Sequence, residues 1–105
     1  MQNKKLKDTL DDLIRALCAD YFRRAAIIEN RDAERRVDNE LRYLNFKIFD
    51  AVAEVVGEGR AEIYISEIGA SVGYAKSTLG YLSEGTYKNY KTLAKENIAK
   101  RLYLK

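Results

Sequence analysis

The chain contains no histidine and a single cysteine. Without histidine it lacks the commonest general base and the commonest zinc ligand. Cys18, being alone, can close no internal disulfide and build no thiolate metal site within one chain. No proline interrupts any helical pattern. No apolar run approaches the roughly 20 residues that a bilayer crossing needs. The start, MQNKKLKDTL, is basic but has no apolar stretch behind it, so a secretory leader is not expected. With one unpaired thiol and no span, the expected location is the cytoplasm. The carboxylates do not converge either. Asp11 and Asp12 are adjacent and diverge on a helix, while Asp8 and Asp12 share a face with no further acid or Arg beside them. Glu54, Glu58 and Glu62 straddle a glycine turn and read as surface charge. Gly57-Glu58-Gly59 has neither the preceding strand nor the following Lys-Ser/Thr of a phosphate loop. No enzyme, cofactor or metal is expected from this inventory.

What is present suits a soluble globular chain: 105 residues, 47% apolar and 33% charged. That length makes one domain, or one domain with a helical arm. The net charge is only +3, but it is unevenly spread. Residues 1–58 hold eleven Lys/Arg against twelve Asp/Glu, whereas residues 74–105 carry Lys76, Lys88, Lys91, Lys95, Lys100, Arg101 and Lys105 against Glu84 and Glu96, a net of +5. A polyanionic partner at that end is the simplest reading; a solvated helix face is the other.

Hydrophobic spacing predicts helices throughout. Leu6, Leu10, Leu13, Ile14, Leu17, Tyr21, Ala25 and Ile28 form one stripe of a helix over 4–29, with Asp8, Asp11, Asp12, Arg15, Arg23 and Arg24 largely off it. Cys18 flanks the stripe as a buried, inert thiol. Asn30-Arg31-Asp32 breaks the pattern, and Asp32 can cap the next helix. That helix runs from about 33 to 56 on Val37, Leu41, Leu44, Ile48, Ala51, Val52 and Val55, and Gly57-Glu58-Gly59 ends it. The two helices pair as a hairpin or between chains; the stripes do not choose. From Ala61 the elements shorten. Residues 61–72 read as a helix, although Glu62-Ile63-Tyr64-Ile65 would also suit a strand. Residues 75–80 read as a second short helix.

The last segment carries most of the functional signal. Ser83-Glu84-Gly85-Thr86 is a helix start, with a hydroxyl cap and an acid in the first turn. At 100° per residue, Tyr87, Tyr90, Ala94, Ile98 and Leu102 face the core. Lys88, Asn89, Thr92, Lys95 and Glu96 face away. Lysine donates to guanine acceptors or phosphates, and asparagine can pair with adenine. Lys91 lies nearer the apolar face, where its stem packs and its ammonium reaches toward a phosphate. Thr86 and the helix N-terminus can also meet phosphate. Of the eight tyrosines, Tyr21, Tyr87 and Tyr103 sit at core spacing, while Tyr74 and Tyr81 are the candidates for exposure.

Gly73-Tyr74, Leu79 and Leu82, then Ser83-Glu84-Gly85-Thr86-Tyr87-Lys88-Asn89-Tyr90-Lys91 with Ala94, Ile98 and Leu102, resemble the helix-turn-helix of sigma-70-type factors, region 4. They are still more similar to small phage and mobile-element regulators of the ArpU/RinA type. The resemblance covers residues 61–104. Gly80-Tyr81 stands where that family has continuous helix. The resemblance implies that Ser83 begins the recognition helix and that Ser83, Thr86, Lys88, Asn89 and Lys91 lie at or beside DNA. A second register, ISEIGASVGYAKSTLGYL, resembles TetR-type repressors and would make Ala75–Tyr81 the reader, with Lys76, Ser77 and Thr78 at DNA. Phosphate neutralisation favours the later helix, because the earlier register offers one lysine.

The expectation is therefore an all-α chain: a helical hairpin over 1–58 for dimerisation or partner binding, then a helix-turn-helix over 61–105 with a long final helix. It would bind specific DNA sequences as a phage or mobile-element transcription regulator. Lys88, Asn89 and Thr92 would reach bases; Ser83, Thr86, Lys91, Lys95, Lys76 and Tyr74 would contact backbone. Expected partners are double-stranded DNA, a second copy of the chain as a homodimer, and RNA polymerase, with no membrane. The alternatives are a helical protein-interaction adaptor and an accessory protein of plasmid transfer or replication.

Overall fold

The computed structural model describes the backbone of residues 2–29 and 35–102, with side chains described within 8–29 and 39–102. Among these residues every regular element is helical: α1 Gln2–Ala19, α2 Tyr21–Glu29, α3 Arg35–Val56, α4 Glu58–Gly69 and α5 Glu84–Arg101, plus a 3-10 turn at Tyr74–Lys76. The chain is all-α. The ambiguous fragment Glu62–Ile65 is helical because Ala61, Tyr64, Ile65 and Ile68 recur at three and four residues and are all buried. Period outweighs the β preference of the individual residues. The Asn30–Asp32 break, the Asp32 cap and the side chains of Leu6, Val37 and Tyr103 lie outside the described residues.

The single helix predicted for residues 4–29 is interrupted at Asp20. Asp20 N–H still reaches the Ala16 carbonyl and Arg24 N–H the Asp20 carbonyl, at 3.1 and 2.9 Å. Beside the interruption Arg24 turns inward, against the expectation that it lies off the apolar stripe. Its Nη2 donates to the Leu17 carbonyl at 2.7 Å and its Nε to Asn45 Oδ1 at 2.6 Å. Asn45 Nδ2 then donates to the Tyr21 carbonyl at 3.0 Å. A buried guanidinium is costly unless its donors are satisfied, and here these bonds join α1, α2 and α3 at that point.

The turn predicted over Gly57–Gly59 is narrower than expected. Only Gly57 leaves the helix, at φ +89°, and Glu58 already begins α4. A side chain at that φ would be strained, so glycine permits the sharp exit from α3. At the other end, α4 closes with Ser71 in the left-handed region at φ +58°. Val72 N–H donates to the Glu67 carbonyl at 2.9 Å and Ser71 N–H to the Ile68 carbonyl at 3.2 Å. This is the paired hydrogen-bond signature of a Schellman end.

α3 is the central helix, packed by α2, α4 and α5, while α1 lies across α4 and touches α5. One core draws on all of them: Ile14 and Cys18 of α1, Tyr21 of α2, Ile48 and Val52 of α3, Tyr64 and Ile68 of α4, and Tyr87, Ala94 and Ile98 of α5. Leu13, expected on the buried stripe, is instead 42% exposed. Cys18 is 1% exposed, and burial pushes its thiol pKa up to about 12, so it stays protonated and unreactive.

The α1–α4 crossing depends on Gly69. A Cβ there would lie 2.6 Å from the Ala19 nitrogen and 2.7 Å from its Cα, both backbone atoms that cannot swing aside. Gly69→Ala should therefore lower stability by about 1–3 kcal/mol, as overpacking does. Gly59→Ala, with nothing within 4 Å of its Cβ, should be neutral or slightly stabilising through helix propensity. Urea unfolding of the two variants checks this; equal midpoints would contradict the close crossing.

Candidate nucleic-acid interface

The segment between α4 and α5 is organised by Glu67, a residue that sequence reasoning did not single out. Its side chain is 7% exposed. Oε1 accepts from Ser77 Oγ–H and from the Tyr87 hydroxyl, both at 2.7 Å. Oε2 accepts from Thr78 N–H at 3.2 Å. One carboxylate thus ties α4, the connecting turn and the first turns of α5 together. A signal was present: Glu67 follows Tyr64 by three residues and precedes Ile68, so it is an acid on an apolar face.

Three tyrosines complete the clamp. Tyr64 and Tyr87 stack with centroids 5.3 Å apart, and Tyr74 meets Tyr87 at 5.5 Å. The Tyr64 hydroxyl donates to the Tyr87 carbonyl at 3.2 Å. Tyr74, predicted as exposed and as a DNA contact, is half-buried, and its hydroxyl faces the Leu82 carbonyl at 2.6 Å and the Gly80 carbonyl at 3.2 Å. It holds the turn from inside.

Residues 75–80 do not form the predicted second helix. Glu67 explains the difference. Ser77 has extended backbone, its hydroxyl accepts from Leu79 N–H at 2.9 Å, and Thr78 N–H is directed to Glu67. Side-chain acceptors have taken the donors that a helix would use. The register that would make Ala75–Tyr81 a reading helix therefore has no helix to present. Lys76 and Thr78 are exposed and Ser77 half-buried on this turn.

α5 starts as expected. Ser83 is the N-cap, and its Oγ accepts from Thr86 N–H at 3.2 Å and donates to Thr86 Oγ1 at 2.8 Å. Tyr87, Ala94, Ile98 and Ala99 are buried, with Tyr90 and Leu102 half-buried. Lys88, Asn89, Thr92 and Glu96 are exposed on the outer face, joined by Leu93. Lys88 pairs with Glu84 one turn back, at 2.7 Å, with both side chains solvated. Such an exposed pair contributes little and opens readily.

The remaining cations depart from the expected pattern. Lys95, predicted on the free outer face, is half-buried and ion-paired with Asp11 of α1 at 2.9 Å. Lys91 does not reach out: its ammonium donates to the Val72 carbonyl at 2.6 Å, just beyond the end of α4, and burial lowers its pKa. Arg101 pairs with Asp50 and with Glu54, the latter at 2.9 Å, while Asn97 Nδ2 donates to the Ala51 carbonyl and to Glu54, both at 2.8 Å. These contacts fasten α5 to α1 and α3. Among the described residues of this half, Lys76, Lys88 and Lys100 are left exposed. Among the described residues no group of three His, Cys, Asp or Glu is placed to hold a metal, and no helix is long and apolar enough to cross a membrane.

Burial raises the phenols of Tyr64 and Tyr87 from 10 to about 12, with the Glu67 hydrogen bond adding to the effect at Tyr87. The Cys18 thiol rises from 9 to about 12. Each group is held neutral by the fold, so its contribution is complete below its unfolded pKa and is lost as pH rises through the folded one. Stability should hold to about pH 9, then fall toward pH 12. Tyr87→Phe should cost about 1 kcal/mol at neutral pH and make the alkaline fall shallower. Chemical unfolding across pH, with tyrosinate absorbance followed in parallel, checks this. Ionisation of all tyrosines near pH 10 without loss of structure would contradict the clamp.

No protein-family model matches the chain, and neither a curated protein nor a solved structure matches it at a significant level.

Proposed function

We propose that the chain is a sequence-specific DNA-binding protein acting in transcription control, of the kind carried by phages and mobile elements. The outer face of α5 would lie in a major groove. One observation supports this above the others: α5 is docked along one face and capped at its start, while Lys88, Asn89 and Thr92 stand exposed on the other. A helix held in this way offers pre-positioned donors and acceptors to base edges. Asn89 can pair bidentately with adenine, Lys88 can donate to guanine or phosphate, and Thr92 can follow one turn later. Lys76, Ser83, Thr86 and Lys100 would meet phosphates at the margins. Lys91 and Lys95 support the reader by fixing its seat.

The outer face is polar apart from Leu93, which favours nucleic acid over a protein groove as its partner. Two exposed aromatics lie on α3: Tyr43 and Phe46 are 61% and 64% exposed, one turn apart. They would pair with a second copy of the chain, since paired half-sites multiply the affinity of such readers. A concentration-independent monomer mass would remove that part. Contact with RNA polymerase would then belong to surfaces away from α5.

The direct test is anisotropy with duplex DNA selected from a random-sequence pool, repeated across salt. Lys88→Ala should lower the salt slope by about one. Asn89→Ala should cost about 1–3 kcal/mol and blur discrimination at one position. Glu84→Gln should tighten binding severalfold, because it releases Lys88 and removes a charge that repels phosphate. Binding that none of these changes moves would place the interface elsewhere, and no duplex binding at low salt would sink the proposal.

A further inference from the structure

Tyr81 is 73% exposed, the most exposed large hydrophobic among the described residues. A lone exposed aromatic means little where the chain can move. This one sits on a turn held from both sides. The Tyr74 hydroxyl faces the carbonyls of Gly80 and Leu82, the residues immediately before and after Tyr81. Leu82 N–H closes back on the Leu79 carbonyl at 3.0 Å, and Leu79 is 1% exposed in the core. Ser77 and Thr78 are bound to Glu67. The backbone that carries the ring is therefore held on both sides, and Tyr81 stands two residues before the Ser83 cap of α5. Lys76, Thr78, Gly80, Ser83 and Glu84 around it in the chain are all exposed and contribute no apolar cover.

We infer that Tyr81 is a DNA contact in its own right, an aromatic carried on a held turn that packs against a sugar and base edge at the groove margin beside the start of α5. This rests on the DNA-binding reading above. The chemistry differs from that of Lys88. An aromatic face gains by removing apolar DNA surface such as a thymine methyl from water, so its contribution does not depend on counterion release. The ring does the work, with the hydroxyl free to meet a phosphate oxygen. The held backbone limits the ordering cost on binding to that of the side chain.

The experiment uses the full chain and the duplex that the wild type selects from a random-sequence pool. Because the ring is exposed, Tyr81→Ala should leave the melting temperature unchanged while weakening binding about tenfold, as loss of a buried apolar contact does, with the salt slope unaltered. Tyr81→Phe should stay within about threefold of the wild type. The chain has no tryptophan, so Tyr81→Trp introduces a single indole whose emission should be quenched when the duplex is added. Wild-type selection of a duplex, followed by equal affinity of Tyr81→Ala and an unmoved Tyr81→Trp emission, would overturn this inference and leave the DNA reading standing. A loss that Tyr81→Phe reproduces in full would also overturn it, since that marks the hydroxyl and not the ring as the contact. Failure of the wild type to bind any duplex at low salt would overturn both.

Discussion

The arrangement of the C-terminal half depends on where one buried carboxylate can find donors. Glu67 sits on α4 with almost no access to water, so each of its oxygens needs a partner from the protein. It takes them from Ser77, Thr78 and Tyr87. That choice keeps residues 75–80 from becoming a helix, brings Tyr87 into the core, and thereby decides which face of α5 is docked and which is free. The backbone carbonyl of the same residue accepts the bond that closes α4. An apolar or shorter side chain there would leave the Tyr87 hydroxyl and the Thr78 amide without these acceptors.

Charge is distributed by the same logic of satisfaction. Lysines and an arginine in the last third of the chain serve partly as fasteners. Lys95 meets Asp11, Lys91 meets the Val72 carbonyl, and Arg101 meets Asp50 and Glu54. The outer face of α5 keeps fewer cations than the sequence count implies. A reader built this way would draw its affinity from a small number of phosphate contacts together with directional contacts to bases, and from avidity if two copies act together.

Much of this fold was legible in the sequence, and what was not has physical causes. The helices over residues 35–56 and 84–101 follow from unbroken three-and-four spacing, and the Ser83 cap follows from a short local pattern. Those signals are carried within one element. The inward turn of Arg24 beside the interruption at Asp20 was hidden, since its partners Leu17 and Asn45 lie on two other helices. The turn at 75–80 was misread because its outcome is set by Glu67, ten residues away, while its own residues tolerate a helix. Gly69 looked like one glycine among several; only the packed crossing shows that a Cβ there would meet the backbone of Ala19. On the outer face, Lys88, Asn89 and Thr92 are exposed as periodicity predicts. The partners of Lys91 and Lys95 were invisible, since Val72 and Asp11 are brought there by the tertiary fold.

The claim that the outer face of α5 reads DNA is tested most directly by mapping backbone amide chemical shifts as duplex DNA is titrated into the labelled chain. The account predicts perturbations concentrated on Lys76, Thr78, Tyr81 and the exposed positions of α5 from Ser83 to Thr92, with the amides around Tyr43 and Phe46 unmoved by a saturating duplex. Perturbations centred on α2 and α3, with α5 silent, would contradict it.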